Sequence, residues 1–165
     1  MKTSRLLSII VCLFTLYSCG SLKEPVVIKH ASLDGYRYAF ITPTKELSSS
    51  SSDVYASQYG TYGSSVTKSV NPSDVISGIL IKKGFIILPE LKPDLADKTV
   101  VVNYGESGRR SLNLGYTIEI TIQFVSYKTS ELICTCTAEG QGSTEADDIR
   151  EAIERALSGL FKTDK

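Results

Sequence analysis

The chain has 165 residues, 42% hydrophobic and 22% charged, and its 18 basic side chains match its 18 acidic ones. That composition excludes an extended disordered chain, and the balanced charge excludes a surface built to grip nucleic acid. One domain is the natural count for this length.

The first 18 residues read as a secretion leader. Lys2 and Arg5 form a positive head, and Leu6 to Leu16 is a mostly apolar run, too short for the roughly 20 residues of a spanning helix. Leu16, Tyr17, Ser18 and Cys19 then resemble the lipobox of bacterial lipoproteins. The resemblance implies that the leader is cut before Cys19, that the Cys19 sulfur is diacylated, with palmitate among the chains, and that the new amino group is acylated as well. At about 0.8 kcal/mol per buried methylene, one acyl chain binds a bilayer marginally, and two or three hold almost permanently. Cleavage would leave 147 residues, with 16 basic side chains against 18 acidic, a net of −2. A domain of that size buries roughly 68 to 70% of its unfolded surface. No second apolar run is long enough to cross a bilayer, so the expectation is a soluble body on a lipid anchor, with the membrane as its first partner.

Residues 19–30 read as a tether, and 31–165 as a single domain. Tyr36 to Thr42 alternates as a strand, with Tyr36, Tyr38 and Phe40 on one side, until Pro43 ends it. From Leu47 to Val70 the composition turns to Ser, Gly and Tyr, with five serines at Ser48 to Ser52. This is a long excursion whose one candidate structure is a loose hairpin. Asn71 and Pro72 open a helix, Val75, Ile76, Ile79 and Leu80 form its apolar stripe, and Lys82, Lys83 and Gly84 close it.

Phe85 to Leu88 is a short strand closed by Pro89. Thr99 to Tyr104, apolar on both faces at Val100, Val101 and Val102, belongs in the middle of a sheet. In Tyr116 to Phe124, Tyr116, Ile118, Ile120, Ile122 and Phe124 face inward. After a turn at Tyr127 to Ser130, Leu132, Cys134, Cys136 and Ala138 line the inward face of the returning strand. The last helix is capped by Ser143 or Thr144 and carries Ala146, Ile149, Ala152, Ile153, Ala156, Leu157, Leu160 and Phe161 at helical spacing. Its acidic first turn and Lys162 suit the macrodipole, and Glu151 and Arg155 stand four apart as a pair. The order predicts an α+β fold, a mostly antiparallel sheet of about five strands with two helices on one face.

Four stretches, NPSDVISGILIKKGF, TVVVNYGES, YTIEITIQFVSYKTSELICTCTAEG and ADDIREAIERALSGLF, together resemble small envelope lipoproteins of Bacteroides-type bacteria, grouped as a domain of unknown function (the 4136 family). The resemblance spans roughly Tyr36 to Phe161 and implies a fold and a location, but no reaction. The insert at 47–70 departs from the family pattern, so nothing about it carries over.

Five features are candidates for chemistry. Cys134 and Cys136, two apart on a strand, lie roughly 6.6 Å apart, whereas a disulfide wants its Cβ atoms about 3.8 Å apart. They read as small buried hydrophobes, with redox, metal or intermolecular roles as the alternatives. Gly140, Gln141, Gly142, Ser143 and Thr144 lie between strand and helix, where amides can cradle a phosphate. The acidic Glu145, Asp147 and Asp148 beside them favour an ordinary turn. Arg109 and Arg110, in the stretch GESGRRSLNLG, are the most concentrated positive feature and read as a solvated loop or a grip for a carboxylate, phosphate or lipid headgroup. Tyr55, Tyr59 and Tyr62 have the composition of an adaptable recognition surface, or of a mobile insert that folds back on the domain. His30 stands alone near the tether, and no metalloprotease helix, nucleophile elbow, Cys-x-x-Cys or dinucleotide fingerprint occurs.

The expectation is therefore a non-enzymatic lipoprotein with no cofactor or metal, a scaffold or accessory domain that contacts another envelope protein. The alternative is a glycan- or lipid-binding lipoprotein using the tyrosine insert with Arg109 and Arg110. Gly20 is not the aspartate that, in well-studied lipoproteins, retains the chain at the inner membrane, which favours the outer membrane facing the periplasm. Lys23 and Glu24 do not make the acidic cluster of surface-exported lipoproteins, leaving the cell surface as second choice.

Overall fold

The computed structural model describes residues 21–43, 47–57, 60–112 and 115–162, of which 47–57 and 60–69 are described by their backbone. The leader and Cys19 lie outside the described residues. Within them the chain runs β1 (Val26–Lys29), β2 (Tyr38–Ile41), β3 (Leu47–Ser57), β4 (Gly60–Val70), α1 (Pro72–Lys82), β5 (Ile86–Ile87), a 3-10 turn (Pro93–Lys98), β6 (Thr99–Leu112), β7 (Gly115–Ser126), β8 (Leu132–Gly140) and α2 (Glu145–Lys162).

The fold is α+β. Six strands form one sheet in the order β1-β8-β7-β6-β2-β5, and β3 and β4 form a separate two-stranded sheet. The sheet is mixed rather than mostly antiparallel, and it has six strands rather than five. β2 runs parallel to both β5 and β6, because α1 and the hairpin lie between them and supply a crossover long enough for parallel pairing. α2 packs on β7 and β8, and α1 packs on α2 and β5, so both helices cover one face.

The core is made by the side chains that alternation predicts. Ile118, Ile120, Ile122 and Phe124 of β7 meet Ile149, Ile153, Leu157 and Leu160 of α2, all buried. Asn71 caps α1, accepting the Ser73 N–H at 3.2 Å. At the other end Gly84 takes φ +92°, while Phe85 N–H returns to Leu80 O and Gly84 N–H to Ile81 O. These paired bonds satisfy the last carbonyls and stop the helix. Thr144, rather than Ser143, caps α2: its hydroxyl and carbonyl accept the Asp147 and Asp148 amides.

Three expectations need correction, and a fourth, the hairpin at 47–70, holds in a more regular form than expected. Residues 26–29 are not tether but edge strand β1, paired antiparallel with β8. The excursion at 47–70 is a regular hairpin of two 11-residue strands, in register from Leu47 opposite Val70 to Ser57 opposite Gly60. Leu132 is exposed and Ile133 buried, because the β7–β8 register slips between Phe124 and Val125. One extra residue there reverses the parity of everything before it. Tyr116, at the open end of β7, is exposed as well.

Candidate functional site

Glu139 is the one charged residue in the nine of β8, and it is only 2% exposed. A carboxylate removed from water needs cations and donors to hold its charge. Arg110, on β6 two strands away, supplies a fork: Nε to Oε1 at 2.9 Å and Nη2 to Oε2 at 2.6 Å. Lys23 adds its backbone N–H to Oε2 at 3.0 Å and its ammonium 3.4 Å from Oε1. The Arg110 hydrogen bond, helped by Lys23 and opposed by burial, brings the Glu139 carboxyl down to about 2.

The same cluster fastens the N-terminal segment. Arg110 Nη2 donates to Ser21 O at 3.2 Å. Arg155, from α2, donates Nη2 to Lys23 O at 2.8 Å and Nη1 to Glu139 O. The chain is therefore held to the domain from Ser21 onward, first by this latch and then by the β1–β8 ladder. Glu151 and Arg155, expected as a pair, are turned elsewhere, Glu151 to the Gln141 N–H at 2.7 Å.

Arg109 and Arg110 lie on strand β6, not in a loop, so neighbouring positions point to opposite faces. Arg109 turns away from the latch, bonding Glu106 at 2.5 and 3.0 Å and Glu145 at 2.6 Å, with its guanidinium 5.4 Å from the Tyr116 ring centre. Glu106 and Glu145 hold its proton more tightly than usual. The two cations thus join separate networks, each already matched by carboxylates.

The turn from Gly140 to Thr144 holds an anion of the protein's own making. Gly142 N–H bonds Asp148 Oδ1 and Gln141 N–H bonds Glu151 Oε2, while Asp147 accepts the Ser143 and Thr144 hydroxyls at 2.6 and 3.0 Å. Burial, then the neighbouring Asp147, Glu145 and Glu151, push the Asp148 carboxyl up, with the Gly142 N–H pulling the other way. The glycines are there for closeness: a Cβ at Gly140 would overlap Asp148 O and Ala152 N, and one at Gly142 would overlap Asp147.

Cys134 and Cys136 are free thiols buried under α2. Burial, with the Cys134 neighbour, pushes the Cys136 thiol up to about 12, which leaves it protonated and unreactive at neutral pH. Tyr55 and Tyr62 occupy opposite register positions on β3 and β4, and Tyr59 lies outside the described residues. His30 is exposed, its backbone N–H on Ile133 O at 2.8 Å. Between β1 and α2 runs a groove of about 770 Å³, lined by Pro25, Val27, Glu151, Glu154, Gly159 and Lys162 among others.

Glu139 and the latch had no place among the sequence candidates. The available signal was a single acid in a strand of otherwise uncharged residues, which must find a cation elsewhere. No helix among the described residues is long and apolar enough to cross a membrane. The chain matches no model of a known protein family and no curated protein.

Proposed function

We propose that this protein is a lipid-anchored domain of the cell envelope that works by contact rather than catalysis. It would be a scaffold or accessory subunit held by acyl chains on Cys19 at the outer membrane and facing the periplasm. The latch is the observation that supports this reading. Ser21 is bonded to the domain by Arg110, and two residues of chain reach at most about 7 Å. An anchor at Cys19 would therefore hold the domain against the bilayer in a fixed orientation, with the Glu139 end of the sheet nearest the lipid. A domain meant to search for distant partners has a long polar leash instead.

A second reading, a glycan- or lipid-binding lipoprotein, draws on the register of the hairpin, which sets Tyr55 and Tyr62 at one rung. Aromatic residues on a polar ribbon suit sugar faces.

Fractionation of cells carrying Cys19→Ala tests the anchor: the chain is expected to leave the membrane fraction, and retention there overturns it. Crosslinking in intact cells, followed by mass spectrometry, tests the contact role, with reproducible recovery of one envelope complex expected. Deleting 48–65 separates the two readings. Under the first, recovery of that complex persists. Under the second, thermal stabilisation by added glycan or lipid is lost.

A further inference from the structure

The helix-free face of the sheet carries two rows of side chains that neither the latch nor the turn engages. Ile120, Ile122 and Phe124 of β7 are buried under the helices, so Thr121 and Gln123 turn to the other face. The register sets Asn103, Gln123 and Thr135 in one row across β6, β7 and β8, with Gly105, Thr121 and Thr137 in the next. None of the six is charged, in a chain that is 22% charged, so an ionic ligand finds no counter-charge in these rows. At β6 and β7 the rows border a cavity of about 230 Å³, lined by Asn103, Gly105, Ser107, Thr121 and Gln123 among others. The acid that borders it, Glu106, is held by Arg109.

We propose that this cavity and its two rows are a binding site for an uncharged glycan. The site goes beyond both readings above, since it needs neither acylation of Cys19 nor the tyrosine hairpin. Gly105 is the first observation that points to a ligand. A glycine inside a strand weakens it, and here the fold does not require one: its φ is not positive, and a Cβ built there has nothing within 4 Å. The side chain that a strand favours is left out, and the space it leaves opens into the cavity. The second observation is a set of unspent hydrogen-bonding groups. Asn103 Oδ1 accepts the Thr42 hydroxyl at 2.6 Å, which fixes the amide and leaves its NH2 without a partner among the described residues. The side chains of Gln123 and Thr135 have none there either.

The chemistry of the rows selects the occupant. Hydroxyls and side-chain amides donate and accept alike, as do the hydroxyls of a sugar. Thr121 and Thr137 bond each other at 2.8 Å, so each oxygen is held in place and keeps acceptor capacity for a ligand hydroxyl. Phe40, Val101 and Val125, half-buried and apolar, form the next row on the same face, where they would meet the C–H side of a sugar ring. The centre of a protein interface favours aromatic residues, Met and Arg, none of which stands in the two polar rows. An acyl chain laid there would bury the amides unpaired.

The test titrates the full chain, held in a detergent without sugar, with three uncharged probes: cellotetraose, maltotetraose and chitotetraose. Calorimetry should show binding of at least one, with a Kd of about 1 mM or tighter. Gly105→Val fills the cavity with a residue that strands favour, so affinity should fall about tenfold or more while the unfolding midpoint holds or rises. Gln123→Ala removes an exposed amide from the same space and should weaken binding about threefold or more at an unchanged midpoint. That second variant keeps the test decisive if Gly105→Val misfolds. No binding of any probe overturns the site, and so does affinity that survives both substitutions. Binding that survives them and is lost on deleting 48–65 assigns the sugar to the tyrosine hairpin, which overturns this site and leaves the second reading standing. A dimer that Gly105→Val abolishes, with no probe bound, gives the face to a second copy of the chain and overturns the proposal as well.

Discussion

Two buried carboxylates, Glu139 in the latch and Asp148 in the first turn of α2, stand on either side of Gly140 and are held in opposite ways. Glu139 is gripped by the Arg110 fork and Lys23, and its carboxyl lies far below the ordinary range. Asp148 has the Gly142 amide for support, with Asp147, Glu145 and Glu151 crowding it, and its carboxyl is pushed up. Burial is common to both, so burial does not decide the sign. The partner decides it: a cation in the latch turns a buried charge into a fastening, whereas one amide among acids leaves a buried charge under tension.

The largest expected effect comes from the residue between them. Gly140→Ala forces a Cβ into the backbone of α2 at Asp148 and Ala152, which must lift the helix from both regions at once. A loss of about 3 kcal/mol or more is expected in denaturant unfolding, and a loss under about 1 kcal/mol would show that the seat is loose. Glu139→Gln comes next. It leaves Arg110 without its charge partner, and because Arg110 keeps a third of its side chain in water the cost is discounted to about 1 to 3 kcal/mol. Hydrogen exchange should also rise at 21–24, a local signature that a general loss of stability would not confine there.

Acid gives a third test of the latch. The Glu139 carboxyl falls from its ordinary 4.5 to about 2 on folding. Its stabilisation is therefore complete above pH 4.5 and is lost as pH falls toward 2. Protection of the amides from Ser21 to Glu24, taken relative to the intrinsic exchange rate at each pH, should fall over that window in the wild type, and the fall should be missing in Glu139→Gln. An identical acid profile in both would remove Glu139 as the holder of the segment.

What the sequence made legible follows from whether the information is local. The alternation of Ile118, Ile120, Ile122 and Phe124, the Asn71–Pro72 opening and the Gly84 stop each declare themselves within a few residues, and the structure has them all. The stretch GESGRRSLNLG reads as a loop because Gly and Ser favour one. It is strand because β7 pairs with it as far as Leu112, around a bulge near Ser107, and pairing overrides a weak local preference. Leu132 and Ile133 exchange faces through a single slipped residue that no composition reveals. The latch is the extreme case, since Lys23 and Glu139 are 116 residues apart and only the closed sheet brings them together.

The smallest effect is the most discriminating for the comparison. Asp148→Asn keeps an oxygen for the Gly142 N–H and removes the charge that burial and three acidic neighbours disfavour. A carboxyl whose folded value is raised above 3.8 stabilises the fold while protonated, and that contribution is lost as pH rises through the folded value. The asparagine should therefore match the wild type near pH 3 and equal or exceed it at pH 7. The gain is at most about 0.5 kcal/mol, because the first turn of α2 favours a negative charge by a similar amount. Denaturant unfolding at the two pH values reads this directly. If the substitution instead weakened the protein at pH 7 as Glu139→Gln does, both carboxylates would be fastenings, and the number of cations nearby would not be what separates them.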